Sequence, residues 1–309
     1  MTTLPQWLTE PWQQWLARRS SGRLGHGLLI QGAVGVGKGL LAEQITQALL
    51  CQQPSVAGGC GHCKSCLLLN SGHHPDRIDI EPDGNQIKVE QIRALITALE
   101  STAHQGGGRV VILHQVERLN GAAANALLKT LEEPMPGVHL VLLTAMPQQL
   151  LPTIVSRCQR LLVALPTWQQ SCAYLDQSLG NHDGDSAQQL GDWPYWQALL
   201  GGPLALTQWL QQGNGAEQIV NWRKLWRQSL KSGVLEQSLA AVDSEQAPLV
   251  VKVLYYELLY IGRKRPQWLA SHYASLQQIS EKITWLQRQS GINLVAIMQQ
   301  MVTELRSKG

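Results

Sequence analysis

Apolar and polar positions follow two regimes along the chain, and the change comes near Leu165. Before it, short apolar runs alternate with helical spacing. Leu28-Leu29-Ile30, Val110–Leu113 and Val138–Leu143 are wholly apolar and short, as buried strands are. Arg77–Glu81 alternates Ile78 and Ile80 and predicts a further strand, and Arg160–Val163 is placed to close the sheet. Between these runs, Lys38–Cys51 spaces Leu41, Ile45, Ala48 and Leu49 on one helical face. Val89–Thr102 does the same with Val89, Ile92, Leu95, Ile96 and Leu99. Asn120–Leu131 predicts a helix ended by Glu133-Pro134. Residues 5–22 predict a short helix with Trp12, Trp15 and Leu16 on one face, Leu67–Ser71 a helical turn, and Leu150–Ser156 a short helix. Strands alternating with helices imply a parallel sheet covered on both faces. Its ligand site is expected beyond the carboxyl ends of the strands.

After Leu165 the strand pattern stops. Thr167–Leu179, Ser186–Leu200 and Leu204–Gln212 predict helices, with Asn181–Asp185 as a loop and Gly201-Gly202-Pro203 as punctuation. Residues 216–231, 235–242, 244–262, 266–289 and 292–307 are helical by pattern as well. The expected organisation is an α/β P-loop domain over 1–164, a small helical domain over 165–207 and an all-helical domain over 208–309.

Composition narrows this picture only in places. A chain of 309 residues is long enough for two or three domains. A net charge of +3 neither demands nor excludes nucleic acid. Phenylalanine is absent, and eleven tryptophans take up much of the aromatic role. The N-terminal stretch carries Pro5, Glu10, Pro11, Arg18 and Arg19 where a signal peptide needs an apolar run. The most apolar stretch, Pro248–Ile261, is too short to span a bilayer and is interrupted by Lys252 and Glu257. A cytoplasmic protein without membrane contact is expected. There, six cysteines argue for metal or free thiols rather than disulfides.

Gln31–Gly39 carries the first candidate chemistry. A phosphate-binding loop reads G-x-x-x-x-G-K-[ST] between a strand and a helix. Gly32, Gly37 and Lys38 fit that frame, with Gly35 as a further loop glycine, but the hydroxyl position is Gly39. Backbone N–H groups would line a nest for phosphate oxygens, and Lys38 would reach the outer phosphates. The alternative is a glycine turn with no ligand. Hydrolysing loops of this kind rely on an Asp at the end of a later strand to help hold magnesium. Here the strand Val110–Leu113 runs into His114-Gln115. Two losses, Gly39 and His114, point at the same metal, so nucleotide binding stays open while hydrolysis is disfavoured. Glu117 is the one nearby acid that could substitute, against its reading as a solvated surface glutamate.

Cys51, Cys60, Cys63 and Cys66 are spaced x8, x2, x2. Four soft ligands with two tight steps suit tetrahedral zinc in a closed, structural site. His62 and the pair His73-His74 lie near enough in sequence to substitute, whereas Cys158 and Cys172 read as plain buried residues. Arg157, in Ser156-Arg157-Cys158, could point out of the nucleotide side of the sheet. The simpler reading, a helix-end arginine in a surface ion pair, is favoured on physics alone. The small-residue start of Ala122–Pro134 allows close packing, with Lys129, Glu132 and Glu133 as a solvated face. Arg223, Lys224, Arg227 and Lys231 form a basic stripe beside Trp222 and Trp226, and Arg263-Lys264-Arg265 a second cluster. Basic residues near aromatics can serve nucleic acid, but the modest net charge favours amphipathic packing.

Taken together, Arg23–Gly32, the four-cysteine insert, Ala122–Pro134 and Ser156-Arg157-Cys158 resemble bacterial DNA polymerase III clamp-loader subunits of the AAA+ family. The likeness covers most of the chain, and beyond 207 it rests on length, helicity and Ser290-Gly291-Ile292-Asn293. The missing magnesium ligands favour the delta-prime type over the ATP-hydrolysing gamma/tau type. The resemblance implies an AAA+ fold with a helical lid and an oligomerising helical collar. It assigns zinc to Cys51, Cys60, Cys63 and Cys66, a sensor position to Thr144, and a trans-acting arginine to Arg157, reversing the reading preferred on physics. It places the start of a second sensor helix at Gly201-Gly202-Pro203, although no arginine follows there. The expected partners are gamma/tau and delta subunits, and through them the sliding clamp and primed-template DNA at the replisome. The expected role is a stator without ATPase activity of its own in a nucleotidyltransferase holoenzyme. The alternative is an active gamma/tau-like ATPase.

Overall fold

In the computed structural model, residues 4–105, 108–179, 193–211, 215–243, 246–286 and 293–306 are described. The loop Asn181–Asp185, the start of the helix expected from Ser186 and the segment Ser290–Ile292 lie outside these residues.

The chain divides into two compact units. The first comprises residues 1–174 with 202–204. It contains β1 (Gly27–Gln31), β2 (Arg77–Ile80), β3 (Arg109–Leu113), β4 (Val138–Thr144) and β5 (Gln159–Leu162), interleaved with α1 (Thr9–Ser20), α2 (Lys38–Leu50), α3 (Lys64–Asn70), α4 (Val89–Leu99), α5 (Gly121–Glu132) and α6 (Pro152–Arg157). The strands form one sheet in the order β2-β3-β4-β1-β5, and every pairing is parallel. The expected α/β P-loop, AAA+-like sheet with a cysteine insert is therefore the fold.

Strand periodicity explains why the runs are apolar on both sides. Leu29, Val111, Leu113, Leu140 and Leu142 face one core, with Ile92 and Leu95 of α4, Leu127 and Leu131 of α5, and Ile154 of α6. Their neighbours Leu28, Ile30, Val110, Ile112, Val141 and Leu143 face the other, with Trp15 of α1 and Leu41, Ala42 and Ile45 of α2. A strand buried on both faces has no polar side to display. The small start of α5 packs inward through Ala123 and Ala124. Its N-terminus is capped by Asn120, whose side chain accepts the Ala123 N–H at 2.8 Å.

The second unit comprises residues 175–201 and 205–309. The helices after the sheet are α7 (Trp168–Leu179), α8 (Trp193–Leu200), α9 (Pro203–Gln211), α10 (Gly215–Ser232), α11 (Gln237–Ala240), α12 (Ala247–Lys264), α13 (Pro266–Ser271), α14 (Tyr273–Leu286) and α15 (Leu294–Arg306). The single helix expected over 266–289 is two helices, broken at His272, where the backbone leaves the helical region. Helix α12 packs against α8, α10, α13 and α14. Val250, Val251, Val253, Leu254 and Leu258 are all buried. The apolar stretch that raises the membrane question in the sequence is thus the central helix of this unit. Among the described residues no helix is long and apolar enough to cross a membrane.

Candidate functional site

The carboxyl ends of the strands bring together Gly32, Gly35, Gly37, Lys38 and Thr144. Gln31 and Thr144 are in register as β1 and β4 end, and the Thr144 carbonyl accepts the Gly32 N–H at 3.2 Å. Thr144 is fully buried, and its Oγ1 accepts the Met146 N–H at 3.0 Å. Gly37 has φ +95°, a left-handed conformation that a side chain would strain, and it starts α2.

The loop is braced through its carbonyls. The Lys38 ammonium folds back and donates to the Gly32 and Ala33 carbonyls, both at 2.8 Å. Trp7 Nε1 donates to the Val36 carbonyl at 2.8 Å. The Gly202 and Leu204 N–H groups donate to the Val34 and Gly35 carbonyls at 2.7 and 3.0 Å. A side chain at Gly202 would lie 2.5 Å from the Gly35 carbonyl oxygen, so glycine is required for this approach. None of these five contacts uses an N–H of the loop; among the described residues the Gly32 N–H is taken by the Thr144 carbonyl, and the N–H groups that follow it stay available to phosphate oxygens. Burial pulls the Lys38 pKa down to about 8, and the Glu117 carboxylate opposes the shift.

Around the expected magnesium position the chemistry is different. A Cβ added at Gly39 would meet nothing within 4 Å. The hydroxyl is therefore missing by residue identity and not for want of space. His114, at the end of β3, is engaged with Asp79 at 3.2 Å. Asp79 also accepts from Arg77 at 2.7 and 3.1 Å. Burial pushes the Asp79 carboxyl up, but the His114 and Arg77 contacts outweigh it and hold the pKa at about 2. Glu117 is not the solvated surface residue that the sequence suggests. Its Oε1 accepts the Ala145 N–H at 3.3 Å, and its Oε2 is buried without a hydrogen-bond partner. The left-handed Gln115 turns the chain sharply after β3 and starts the single 3-10 turn Val116–Arg118 that carries Glu117. One positive φ at a glutamine is not readable from sequence, so periodicity could not place this acid.

Arg157 is not on the nucleotide side. It ends α6, and β5 starts beside the beginning of β1, with Gln159 in register with Leu28. The Arg157 carbonyl oxygen lies 3.4 Å from where a Gly27 Cβ would be, while the phosphate loop follows the far end of β1. A strand of this length puts roughly 15 Å between them. The guanidinium is exposed and pairs with Glu132 of α5 at 2.7 Å, with a further bond to the Thr153 carbonyl at 3.0 Å. The surface pair favoured on physical grounds is present.

The cysteine insert leads from α2 into α3. The Sγ atoms of Cys51, Cys60, Cys63 and Cys66 all lie within 4.8 Å of one another. The Cys51–Cys63 and Cys60–Cys66 pairs are 3.8 and 4.0 Å apart. A tetrahedron of sulfurs about 2.3 Å from a central zinc has edges of about 3.8 Å. The sulfurs accept backbone N–H groups: Cys51 from Gln53 and Cys60 at 3.3 and 3.2 Å, Cys60 from Cys63 at 3.3 Å. Such donors stabilise thiolates. The four thiols can thus hold a metal ion, and the donor set suits structural zinc. The nearby histidines do not compete. His74 is buried, accepts the Asp76 N–H at Nδ1 and meets Ser65 Oγ through Nε2 at 2.7 Å. His62 Nδ1 contacts the Cys60 carbonyl, and His73 is exposed. Cys158 is buried as expected, whereas Cys172 is only half-buried.

The basic stripe on α10 is divided by the fold. Trp222 and Trp226 turn into the core, with Trp226 Nε1 donating to the Val250 carbonyl at 2.9 Å. Arg223 and Arg227 reach the fully buried Glu257 at 2.7 and 2.8 Å.

A family model described as "DNA polymerase III, delta subunit" matches residues 7–166. A DNA polymerase III subunit delta' of Pseudomonas aeruginosa is 35% identical over 307 residues, covering 96% of this chain and 90% of that protein. A subunit delta' of Escherichia coli is 34% identical over 244 residues, 78% of this chain and 71% of that protein. The DNA polymerase III subunit tau of Escherichia coli is 37% identical over 139 residues, 45% of this chain and 22% of tau.

Proposed function

Because the chain belongs to the DNA polymerase III delta-prime family and is thereby a clamp-loader subunit, we propose that it acts there as a stator that supplies Arg157 to a neighbour's ATP site. The assembly it serves would join it to gamma/tau and delta chains in the cytoplasm and use ATP to place a sliding clamp on primed DNA. Residues 165–207 would form its lid and 208–309 its oligomerising collar. The four cysteines would hold one structural zinc.

The observation that carries this reading is the separation of parts. Arg157 is exposed at the amino-terminal edge of the sheet, about a strand length from the chain's own phosphate loop. It cannot reach that loop without unfolding β5, but it can face another subunit. There a guanidinium would stabilise charge developing on the transferred phosphoryl group, an effect worth roughly 10³–10⁵ in rate. To do so it must leave Glu132, an exposed pair worth at most about 1 kcal/mol. That cost is small against the gain. The chain's own loop would keep its fold and a phosphate-sized nest at Gly35, Gly37 and Lys38, without a magnesium ligand at Gly39 or His114.

One observation favours a second reading, an active ATPase: Glu117 has a buried, unpartnered oxygen and acts electrostatically on Lys38. The purified chain distinguishes them. Alone, it should show no magnesium-dependent ATP turnover above background. A turnover abolished by Lys38→Ala would overturn the stator reading.

A further inference from the structure

Helix α10 carries as much net positive charge as the whole chain. It bears Arg223, Lys224, Arg227 and Lys231 against Glu217 alone, a net +3, and the whole chain also carries +3. The remaining residues therefore balance to zero. The four cations open onto a groove of about 410 Å³, lined also by Val220 and Gln228 and, among the described residues, by no carboxylate.

The structure holds this face ready. Glu257 is fully buried and accepts from both Arg223 Nε and Arg227 Nε, which fixes the two guanidiniums on the same side of α10. The Tyr195 ring lies against Arg223, 4.1 Å from the guanidinium carbon, and stiffens it further. Glu257 cancels one of the two charges, so the face presents three net positive charges. Lys224, Arg227 and Lys231 are exposed. They climb the helix in steps of about 4.5 and 6 Å.

The composition of the groove selects its ligand. Protein interfaces are depleted of lysine and enriched in aromatic anchors. Here two of the three exposed cations are lysines, the third, Arg227, is tied to Glu257, and both tryptophans point away into the core. With no exposed ring in the lining, bases cannot stack. What remains is a row of cations suited to phosphate oxygens.

We propose that the α10 groove is a phosphate-backbone site for duplex DNA, formed by Lys224, Arg227 and Lys231 with Arg223 as their anchor. It reads no sequence. The site rests on the groove itself and is independent of the roles given to Arg157 and the phosphate loop.

The test is equilibrium binding of the full chain to a fluorescent primed-template duplex between 50 and 200 mM KCl. Three neutralised phosphates give a fall in affinity of about 40-fold across that range. The pair Lys224→Gln with Lys231→Gln leaves Glu257 and its two arginines intact. It should weaken binding at least about tenfold at 50 mM and flatten the salt dependence to about 3- to 4-fold. The pair Lys64→Gln with Lys282→Gln removes the same charge elsewhere and should change neither. Absence of wild-type binding at 50 mM would overturn the proposal, as would equal losses in both double variants. So would groove variants that bind DNA normally but fail to assemble with other subunits, which would make the face a protein interface.

Discussion

Removing metal from the cysteine insert should unfold the insert and leave the sheet intact. The reason lies in what each region packs against. Among the described residues, the buried cluster of the insert is made of Cys51, Cys63 and Cys66, with Cys60 partly buried against them. Val56 and Leu67, its apolar candidates for a core, are 95% and 58% exposed. The two clusters that sandwich the sheet contain none of these cysteines. Structural zinc in small domains supplies about 10–16 kcal/mol. If only half of the lower figure protects the insert against local opening, opening is suppressed by more than about 10³-fold, at about 1.4 kcal/mol per factor of ten. Lys64 reports this directly. It is exposed but lies in the first turn of α3, and trypsin can cut there only when that turn opens. Freshly purified, reduced protein should contain about one zinc per chain. Chelation, or Cys63→Ser, should raise cleavage after Lys64 by more than about 10³-fold while far-UV helix content falls only slightly. Metal-free protein as isolated, or cleavage unchanged by chelation, would refute the reasoning.

Two further outcomes follow from buried charges. Lys38, labelled by reductive methylation with ¹³C, should titrate near pH 8 in the folded chain, because burial disfavours its charge. Its folded pKa lies below its unfolded one, so its penalty is full below about pH 8 and fades as pH rises toward 10.5. Glu117→Gln removes the opposing carboxylate and should lower the midpoint, and a midpoint near 10 in the wild type would contradict the geometry. Glu257→Ala should cost about 3 kcal/mol in urea unfolding, the lower end for a broken buried pair, because Arg227 is 51% exposed and can return to water. A loss below about 1 kcal/mol would mean that Glu257 does not anchor the arginines.

The sheet was legible because burial on both faces leaves an unmistakable run: Val110–Ile112 and Leu140–Leu143 have no polar position to interrupt them. The cysteine site was legible because ligand spacing is local. The tryptophans make sense only in three dimensions. Trp15 and Trp226 are among the largest fully buried side chains. Three features could not be read. Glu117 is placed by one left-handed residue, Gln115. The side of the sheet on which Arg157 emerges depends on the register of β5 with β1. The break at His272 interrupts a helical pattern that continues across it. Each is set by tertiary context, which periodicity does not encode.

The central claim is that Arg157 acts on a neighbour and not on its own chain. It is tested most directly by the ATPase rate of the assembly reconstituted from gamma/tau, delta and this chain, with clamp and primed DNA, comparing wild type with Arg157→Ala and Glu132→Gln. Arg157→Ala should leave folding and assembly unchanged and slow turnover at the adjacent site by at least about 10³-fold. Glu132→Gln, which frees the guanidinium from its surface pair, should leave the rate unchanged or raise it modestly. An unaltered rate with Arg157→Ala in a fully assembled complex would contradict the account.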